Sequence, residues 1–208
     1  DDLGIGLRIA RRMVAGKILN ARVLLRRNSK ARDAGSIREM KRLAVLAEAA
    51  ESFERLLGLE GGAARVYFSQ FSTMVRGDLG PFDFERRTRR PPADPINCLL
   101  SYVYGLLVKD CTTTVLGVGF DPYSGMYHRP RFGRPALALD LAEEFRPLVA
   151  DSTVLTLVNN GEIRPSHFVV RGGAAGLTAE GRRTVISAYE RRLDTEVRHP
   201  TFGYSVTY

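Results

Sequence analysis

Acidic and histidine side chains mark the part of the sequence best suited to chemistry. Asp140, Glu143 and Glu144 are three acids at spacings of three and four residues, which places them on one face of a helix. Acids this close repel one another, and a divalent cation would relieve the repulsion. His128 lies shortly before them, and Glu60 lies much farther upstream. Carboxylates with one imidazole suit magnesium or manganese better than a closed zinc site.

Each of these features also has a simpler explanation, which the residues alone leave open. The three acids could form a solvated helix face. A single histidine such as His128 is usually a surface or structural residue. Glu60 lies where a helix is predicted to begin, and an acid near a helix N-terminus is favoured by the helix dipole in any case.

The charge balance indicates a polyanionic partner. The 208 residues include 31 Lys and Arg against 23 Asp and Glu, for a net charge of +8. We expect a soluble, non-secreted chain, and an excess of arginine in such a chain favours nucleic acid as the partner. A basic surface without function would have the same composition. Acid clusters together with DNA binding suggest phosphodiester chemistry, because a cation can activate the attacking oxygen and stabilise charge on the phosphate.

Composition excludes several other classes of protein. No run of apolar residues is long enough to span a membrane. Two cysteines, Cys98 and Cys111, cannot form a disulfide framework or a four-cysteine zinc site, so we expect a reducing, cytoplasmic setting. The acidic N-terminus without an initiator Met is no secretory signal, and we expect the chain to be a fragment of a longer polypeptide.

Hydrophobic periodicity predicts a mostly α fold, with one helical domain over residues 1–208. On the 136–145 helix, the apolar side chains Leu137, Leu141 and Phe145 share the face away from the acids. Residues 151–158 are apolar and β-branched, which leaves helix or strand open. Helices are predicted over 5–27, 60–73, 136–145 and 179–193, the last capped by Thr178. A further helix of about 22 residues is predicted from a cap at Ser36 to a stop at Gly58, and another begins at Asp94-Pro95. Residues 76–93 are predicted to be a loop.

Five stretches in a fixed order resemble the CRISPR-associated protein one family, the integrase of spacer acquisition. The resemblance covers nearly the whole chain. The stretches are Lys-Ile-Leu-Asn at 17–20, Leu-Gly-Leu-Glu-Gly-Gly-Ala-Ala-Arg-Val-Tyr-Phe at 57–68, Arg-Pro-Pro-Ala-Asp-Pro-Ile-Asn-Cys-Leu-Leu-Ser-Tyr-Val-Tyr at 90–104, Gly-Phe-Asp-Pro-Tyr-Ser-Gly-Met-Tyr-His at 119–128, and Gly-Arg-Pro at 133–135 leading to Asp-Leu-Ala-Glu-Glu-Phe-Arg-Pro at 140–147.

The resemblance implies which residues hold the metal ion. By motif, the metal ligands and catalytic residues are Glu60, His128 and Glu143, with Mg²⁺ or Mn²⁺ as the cofactor. Asp140 matches a further acidic position that supports the site. We therefore expect the Glu60, His128 and Glu143 side chains to converge within coordination reach of one point.

The resemblance also implies the reaction and the partners. A 3′-hydroxyl of spacer DNA attacks a phosphodiester at the CRISPR repeat, and the same site cuts DNA with water. The partners are DNA, a second copy of the chain in a homodimer, and a dimer of CRISPR-associated protein two. Tyr102 and Tyr104 face differently on their helix, so at most one of them lines the site. The expected DNA contacts are Arg86, Arg87, Arg89, Arg90, Tyr102 and Lys17.

One departure from the family pattern concerns the ends of the chain. The small N-terminal β-rich domain of the family is absent from this sequence, and the chain stops at Thr207-Tyr208, where more helix is expected. The partner surfaces depend on those parts, whereas the expected metal ligands all lie within the 208 residues.

Overall fold

The computed structural model describes residues 2–31, 33–76, 84–198 and 203–208. The mostly α prediction is confirmed, since helices dominate these ranges and the four strands within them are short. The helices are α1 (Asp2–Asn28), α2 (Ala34–Glu48), α3 (Phe53–Ser69), α4 (Pro95–Val118), α5 (Ala136–Phe145), α6 (Ser152–Asn159) and α7 (Ala179–Leu193), and the strands are β1 (Phe168–Arg171), β2 (Ala174–Leu177), β3 (Val197–Arg198) and β4 (Ser205–Val206).

The chain divides into two compact units. The first unit comprises Asp1–Met74 and Tyr104–Leu148, and the second comprises Val75–Val103 and Val149–Tyr208. The helix α4 contributes residues to both. The prediction of a single helical domain over the whole chain stays a prediction.

The first unit is built around α1, which packs against α2, α3 and α5. Its long helix is amphipathic, and the buried side chains of the helices and of the 3₁₀ turn Phe71–Met74 meet in one core. Fully buried members of this core are Val14, Ile18, Leu25, Met40, Leu56, Phe71 and Met74.

The second unit combines α6 and α7 with two antiparallel hairpins. In the first hairpin, β1 pairs with β2 in the register Phe168–Leu177 to Arg171–Ala174. Its two-residue turn has φ of +56° at Gly172 and +74° at Gly173, a conformation that glycine adopts without strain. The second hairpin joins β3 and β4. The buried core of this unit includes Leu99, Leu100, Leu157, Ile163 and Val185.

The prediction of one long helix ending at Gly58 is wrong. The helix α2 is capped by Asp33, whose carboxylate accepts from the Gly35 and Ser36 amides, so Ser36 lies inside the helix. A new helix, α3, begins at Phe53 after Ser52, whose hydroxyl accepts from the Arg55 amide. Apolar periodicity carries on across this break and therefore conceals it. The cap at Ser52 is the local signal that the periodicity hides.

The helix predicted over 60–73 is also wrong, because α3 runs from Phe53 to Ser69. The predicted caps at Asp94 and Thr178 agree with the structure. Asp94 accepts from the Asn97 amide at 2.8 Å and caps α4, which begins at Pro95. Thr178 caps α7 by accepting from the Gly181 amide. Residues 152–159, part of the segment whose structure the sequence left open, are the helix α6. No helix in the described ranges is both long and apolar enough to cross a membrane.

Candidate functional site

Glu60 lies in the middle of α3 and not at a helix start. The helix runs from Phe53 to Ser69, so Glu60 has complete turns on both sides. The helix-dipole explanation for this acid therefore fails, because the dipole acts mainly within the first turn. Glu60 is partly buried, with 22% of its side chain exposed.

Asp140 organises the loop that carries His128. Its carboxylate accepts from three successive amides, those of Met126, Tyr127 and His128, at 2.6, 3.0 and 2.8 Å. Asp140 is fully buried, so this loop supplies most of the hydrogen bonds that a buried carboxylate needs. The acid on α5 thereby fixes the backbone around His128.

Gly125 lets this loop approach α5. A Cβ atom at this position would lie 2.6 Å from the Ala136 Cβ and 2.8 Å from the His128 carbonyl oxygen. Both distances are far below van der Waals contact, and both neighbours are held in place. Only glycine permits this close approach.

His128 is oriented by Asp140 toward Glu143. Its Nδ1 lies 2.7 Å from the Asp140 Oδ1. Since the same Oδ1 accepts from the His128 amide, it acts as the acceptor here as well, and Nδ1 carries the proton in this hydrogen bond. The other ring nitrogen, Nε2, lies 3.7 Å from the Glu143 Oε1. In the neutral ring, Nε2 then presents a lone pair beside Glu143. A carboxylate that holds the other ring nitrogen orients metal-binding histidines in the same way.

Glu143 is a buried carboxylate with cations on both sides. Only 2% of it is exposed; Lys17 Nζ lies 2.6 Å from Oε2, and Arg146 Nη1 lies 2.6 Å from Oε1. Burial alone would raise the pKa of Glu143, but Lys17 and Arg146 outweigh burial and lower the pKa. Glu143 is therefore a carboxylate anion at neutral pH.

Tyr127 orients the Glu60 carboxylate. Its hydroxyl donates to Glu60 Oε2 at 2.8 Å, while Lys17 Nζ donates to Oε1. Burial and the adjacent Glu60 raise the pKa of Tyr127, so the phenol keeps its proton and stays a donor. Lys17 thus joins the two carboxylates, Glu60 on α3 and Glu143 on α5.

The acids of α5 are arranged differently from the prediction. The face of Asp140 and Glu143 is buried, whereas Leu141 and Phe145 on the apolar face are 39% and 37% exposed. Glu144 is exposed. It lies outside the cluster, a name used here for Lys17, Glu60, Tyr127, His128, Asp140, Glu143 and Arg146. A carboxylate face can be buried here because cations and backbone amides from other elements compensate its charge, which helix periodicity cannot show.

The donor set suits the expected ion, although the side chains do not form a ligand shell as they stand. In the described part of the chain, no three His, Cys, Asp or Glu residues are grouped as a metal site. The expected convergence on one point stays a prediction: Glu60 and Glu143 both contact the Lys17 ammonium, and His128 Nε2 lies 3.7 Å from Glu143 Oε1. Glu143 Oε2 is nevertheless buried and lacks a well-aligned hydrogen bond there, despite the nearby ammonium. Two carboxylates and an imidazole nitrogen match the preferences of Mg²⁺ or Mn²⁺.

Two side chains of the cluster received no role from the sequence. Tyr127 precedes His128 inside a motif stretch, but only the structure shows its bond to Glu60. Arg146 follows Glu143 by three residues, a spacing that predicts an ion pair on a helix. Its guanidinium also stacks over the Tyr104 ring, 5.1 Å from the centroid. Tyr104 therefore contacts a side chain that is itself bound to Glu143.

The predicted arginine loop contains two kinds of arginine. Arg86, Arg89 and Arg90 are exposed. Arg87 is partly buried, and its guanidinium donates to Asn97 Oδ1 at 2.8 Å and to Ser101 Oγ at 3.0 Å. Arg87 therefore anchors the loop to α4, and the structure gives it a different role from the three exposed arginines. The predicted loop also includes residues 77–83, which lie outside the described residues.

These features define a class of protein that is basic, mostly helical and carries a carboxylate–histidine cluster. The order of its motifs resembles that of one family of DNA-processing proteins. The family model described as CRISPR associated protein Cas1 matches residues 1–191. The chain belongs to this family, which confirms the resemblance found in the motifs.

Individual relatives agree with the family match. A CRISPR-associated exonuclease Cas4/endonuclease Cas1 fusion from Geobacter sulfurreducens is 48% identical over 211 residues, covering 97% of this chain and 38% of the relative. A solved CAS1 protein from Thermotoga maritima has a TM-score of 0.80 at 32% identity, covering 90% of this chain and 59% of that one. A chain of a partial Cas6-RT-Cas1–Cas2 complex has a TM-score of 0.81 at 32% identity, covering 90% and 57%. This chain thus spans between about two fifths and three fifths of these proteins.

Proposed function

We propose that this chain is the catalytic part of a metal-dependent DNA endonuclease and integrase that inserts spacer DNA into CRISPR arrays by transesterification. The observation that carries the proposal is the orientation of His128. Asp140 holds its Nδ1, so Nε2 faces the anionic Glu143 in a site that Glu60 completes. Such a fixed, buried arrangement serves chemistry better than it serves folding, because burying these charges is costly.

Glu60, His128 and Glu143 would hold the metal ion, Mg²⁺ or Mn²⁺. Bound there, the ion would supply charge stabilisation at the phosphate and activation of the attacking oxygen. The chain's own residues prepare the site: Asp140 keeps the proton of His128 on Nδ1, and Tyr127 orients Glu60. Arg146 offsets the charge of Glu143 without competing for its Oε2, since it binds Oε1.

The DNA would be held by electrostatic contacts to phosphates. The exposed Arg86, Arg89 and Arg90 are the best candidates, because their guanidinium groups are accessible. Tyr102 and Lys17 complete the proposed DNA contacts. One solved relative is a chain of a partial Cas6-RT-Cas1–Cas2 complex, which supports CRISPR-associated protein two as a partner. We also propose that this partner is a dimer and that the whole protein is a homodimer.

A cleavage assay on branched DNA tests the proposal. The purified chain with Mn²⁺ is expected to nick or rejoin the DNA, and EDTA should stop the reaction. Glu60→Ala and His128→Ala should each lower the rate at least ~100-fold, as loss of a ligand to a hard cation does. The exposed Glu51→Ala is the matched control and should keep the full rate. Full activity in either ligand variant would move the catalytic centre elsewhere.

Integration of both spacer ends should require more than this chain. The predicted metal ligands lie within the 208 residues, so the local reaction should survive, although weakly. Paired insertion at a fixed spacing depends on surfaces that bridge distant sites. We expect it only when the full-length protein and its partner are restored, measured as two-ended insertion into a repeat-containing plasmid.

A non-catalytic DNA-binding scaffold is the second candidate function. The observation in its favour is that Lys17 and Arg146 already compensate the charges of Glu60 and Glu143. In that case the acids would serve only to join α1, α3 and α5. DNA binding with no nicking in Mn²⁺, and no difference between Glu60→Ala and wild type, would favour the scaffold.

A further inference from the structure

Lys17 has two carboxylate partners that the proposed function assigns to a metal ion. Its Nζ donates to Glu60 Oε1 and lies 2.6 Å from Glu143 Oε2. These three residues come from α1, α3 and α5, so one ammonium group ties three helices of the first unit together. With Arg146, two cations contact the two carboxylates Glu60 and Glu143.

We propose that Lys17 is a displaceable internal counter-ion, which holds the two carboxylates in place and must leave them when the divalent cation binds. The inference rests on the proposed metal site and deepens it. A divalent ion coordinated by Glu143 Oε2 would lie next to an ammonium that is 2.6 Å from the same oxygen. Two cations so close in a partly buried site repel strongly, because little solvent screens them.

The structure also indicates which of the two cations leaves. Arg146 is held by Glu143 Oε1 on one side and by the Tyr104 ring on the other, and its planar guanidinium suits such a fixed position. Lys17 ends in a point charge on a flexible four-carbon stem, and 16% of its side chain is exposed. Lys17 can therefore turn its ammonium toward solvent, where it would be available to a DNA phosphate.

Two consequences follow for the protein without metal. Lys17 would keep Glu60 and Glu143 from repelling each other, so the site stays assembled between reactions. It would also weaken metal binding, because the ion must replace an existing ion pair. Removing the ammonium should therefore destabilise the metal-free protein and tighten its hold on metal.

Direct metal titration tests this inference without using activity. Binding of Mn²⁺ is followed by loss of the free-ion EPR signal in wild type, Lys17→Met and Lys41→Met, where Lys41 is an exposed control on α2. Lys17→Met should lower the Kd for Mn²⁺ about tenfold, equivalent to about 1.4 kcal/mol. It should also lower the melting temperature of the metal-free protein. Lys41→Met should change neither. An unchanged or weaker Kd in a folded Lys17→Met protein overturns the inference.

Chemical labelling of the wild-type protein gives a second test that needs no folded variant. Lysine acetylation by an N-hydroxysuccinimide ester is measured by mass spectrometry with and without Mn²⁺. Labelling of Lys17 should rise severalfold when Mn²⁺ binds, while labelling of Lys41 stays constant. Equal or slower labelling of Lys17 in Mn²⁺ would show that the ammonium stays in place.

The two failures are distinguishable. If wild type does not bind Mn²⁺, or if His128→Ala and Glu60→Ala bind it as wild type does, the proposed metal site fails and this inference fails with it. If wild type binds Mn²⁺ through those ligands but Lys17→Met has the same Kd, only the role of Lys17 is wrong.

Discussion

The acidic cluster of the first unit and the arginine loop of the second bury charge to very different extents. In the cluster, Glu143 and Asp140 are almost fully buried, and each is compensated by named cations or amides. In the loop, Arg86, Arg89 and Arg90 are exposed, and the Arg87 guanidinium is anchored to α4. Buried charges are sensitive to the loss of a single partner, whereas exposed charges act through their sum. Substitutions in the two regions should therefore have different kinds of effect.

The largest effect is expected for Asp140→Asn. The carboxylate accepts from two donors on each oxygen, so turning one oxygen into NH₂ leaves two donors without an acceptor and facing another N–H group. We expect a loss of roughly 3 kcal/mol in the free energy of unfolding, measured by urea denaturation, together with loss of DNA cleavage.

The exposed Asp121 supplies the control, since its carboxylate accepts from the Tyr123 amide at 3.0 Å. Asp121→Asn should cost less than about 1 kcal/mol. If the two substitutions cost the same, burial does not separate the cluster from an ordinary loop.

Next in size is Arg87→Ala, which tests the exception within the arginine loop. Arg87 donates to Asn97 and Ser101 on α4, and hydrogen bonds from a charged group contribute about 1.5–3 kcal/mol when well buried. Because Arg87 is only partly buried, we expect a loss of about 2 kcal/mol in the free energy of unfolding. Arg86→Ala and Arg89→Ala should lie within ~0.5 kcal/mol of wild type. Similar stability in all three variants would remove the distinction drawn between them.

The three exposed arginines of the loop should affect DNA binding and not stability, the opposite of Arg87. Replacing Arg86, Arg89 and Arg90 together by Ala should leave stability unchanged but make the salt dependence of DNA affinity shallower, by about one unit of slope per lost phosphate contact. Fluorescence anisotropy at several salt concentrations measures the slope. Arg8, Arg12 and Arg26, which are exposed on α1, make a matched triple control. An equal change in slope from the control would mean that total charge, rather than this loop, governs binding.

The smallest effect is expected in the alkylation rates of the two cysteines, one in each unit. Burial raises the pKa of Cys98, in the second unit, and of Cys111, in the first, to about 11 in each case. At pH 8 both thiols should be almost entirely protonated, and alkylation by iodoacetamide should be slow and rise about tenfold per pH unit up to that pKa. In urea, both should react at the ordinary rate of free cysteine. Because Cys98 is buried and Cys111 only partly buried, faster alkylation of Cys98 than of Cys111 in the folded protein would mean that the second unit opens more readily.

Local signals in the sequence determined most of the helices and the family. Asp94 and Thr178 cap their helices as predicted, because a cap acts on amides only two or three residues away. The order of the motif stretches was sufficient to indicate the family, since it requires no knowledge of packing. The break at Ser52 was missed because apolar periodicity continues across it.

The tertiary structure alone decided how the charges of the site are compensated. Lys17 lies on α1, far in sequence from Glu143, and no spacing pattern links them. The buried face of α5 proved to be the acidic one, since Asp140 accepts loop amides and Glu143 meets two cations. A buried carboxylate needs partners, and here they lie on other helices and loops. Which residues become these partners is decided by the folded structure and cannot be seen in the sequence.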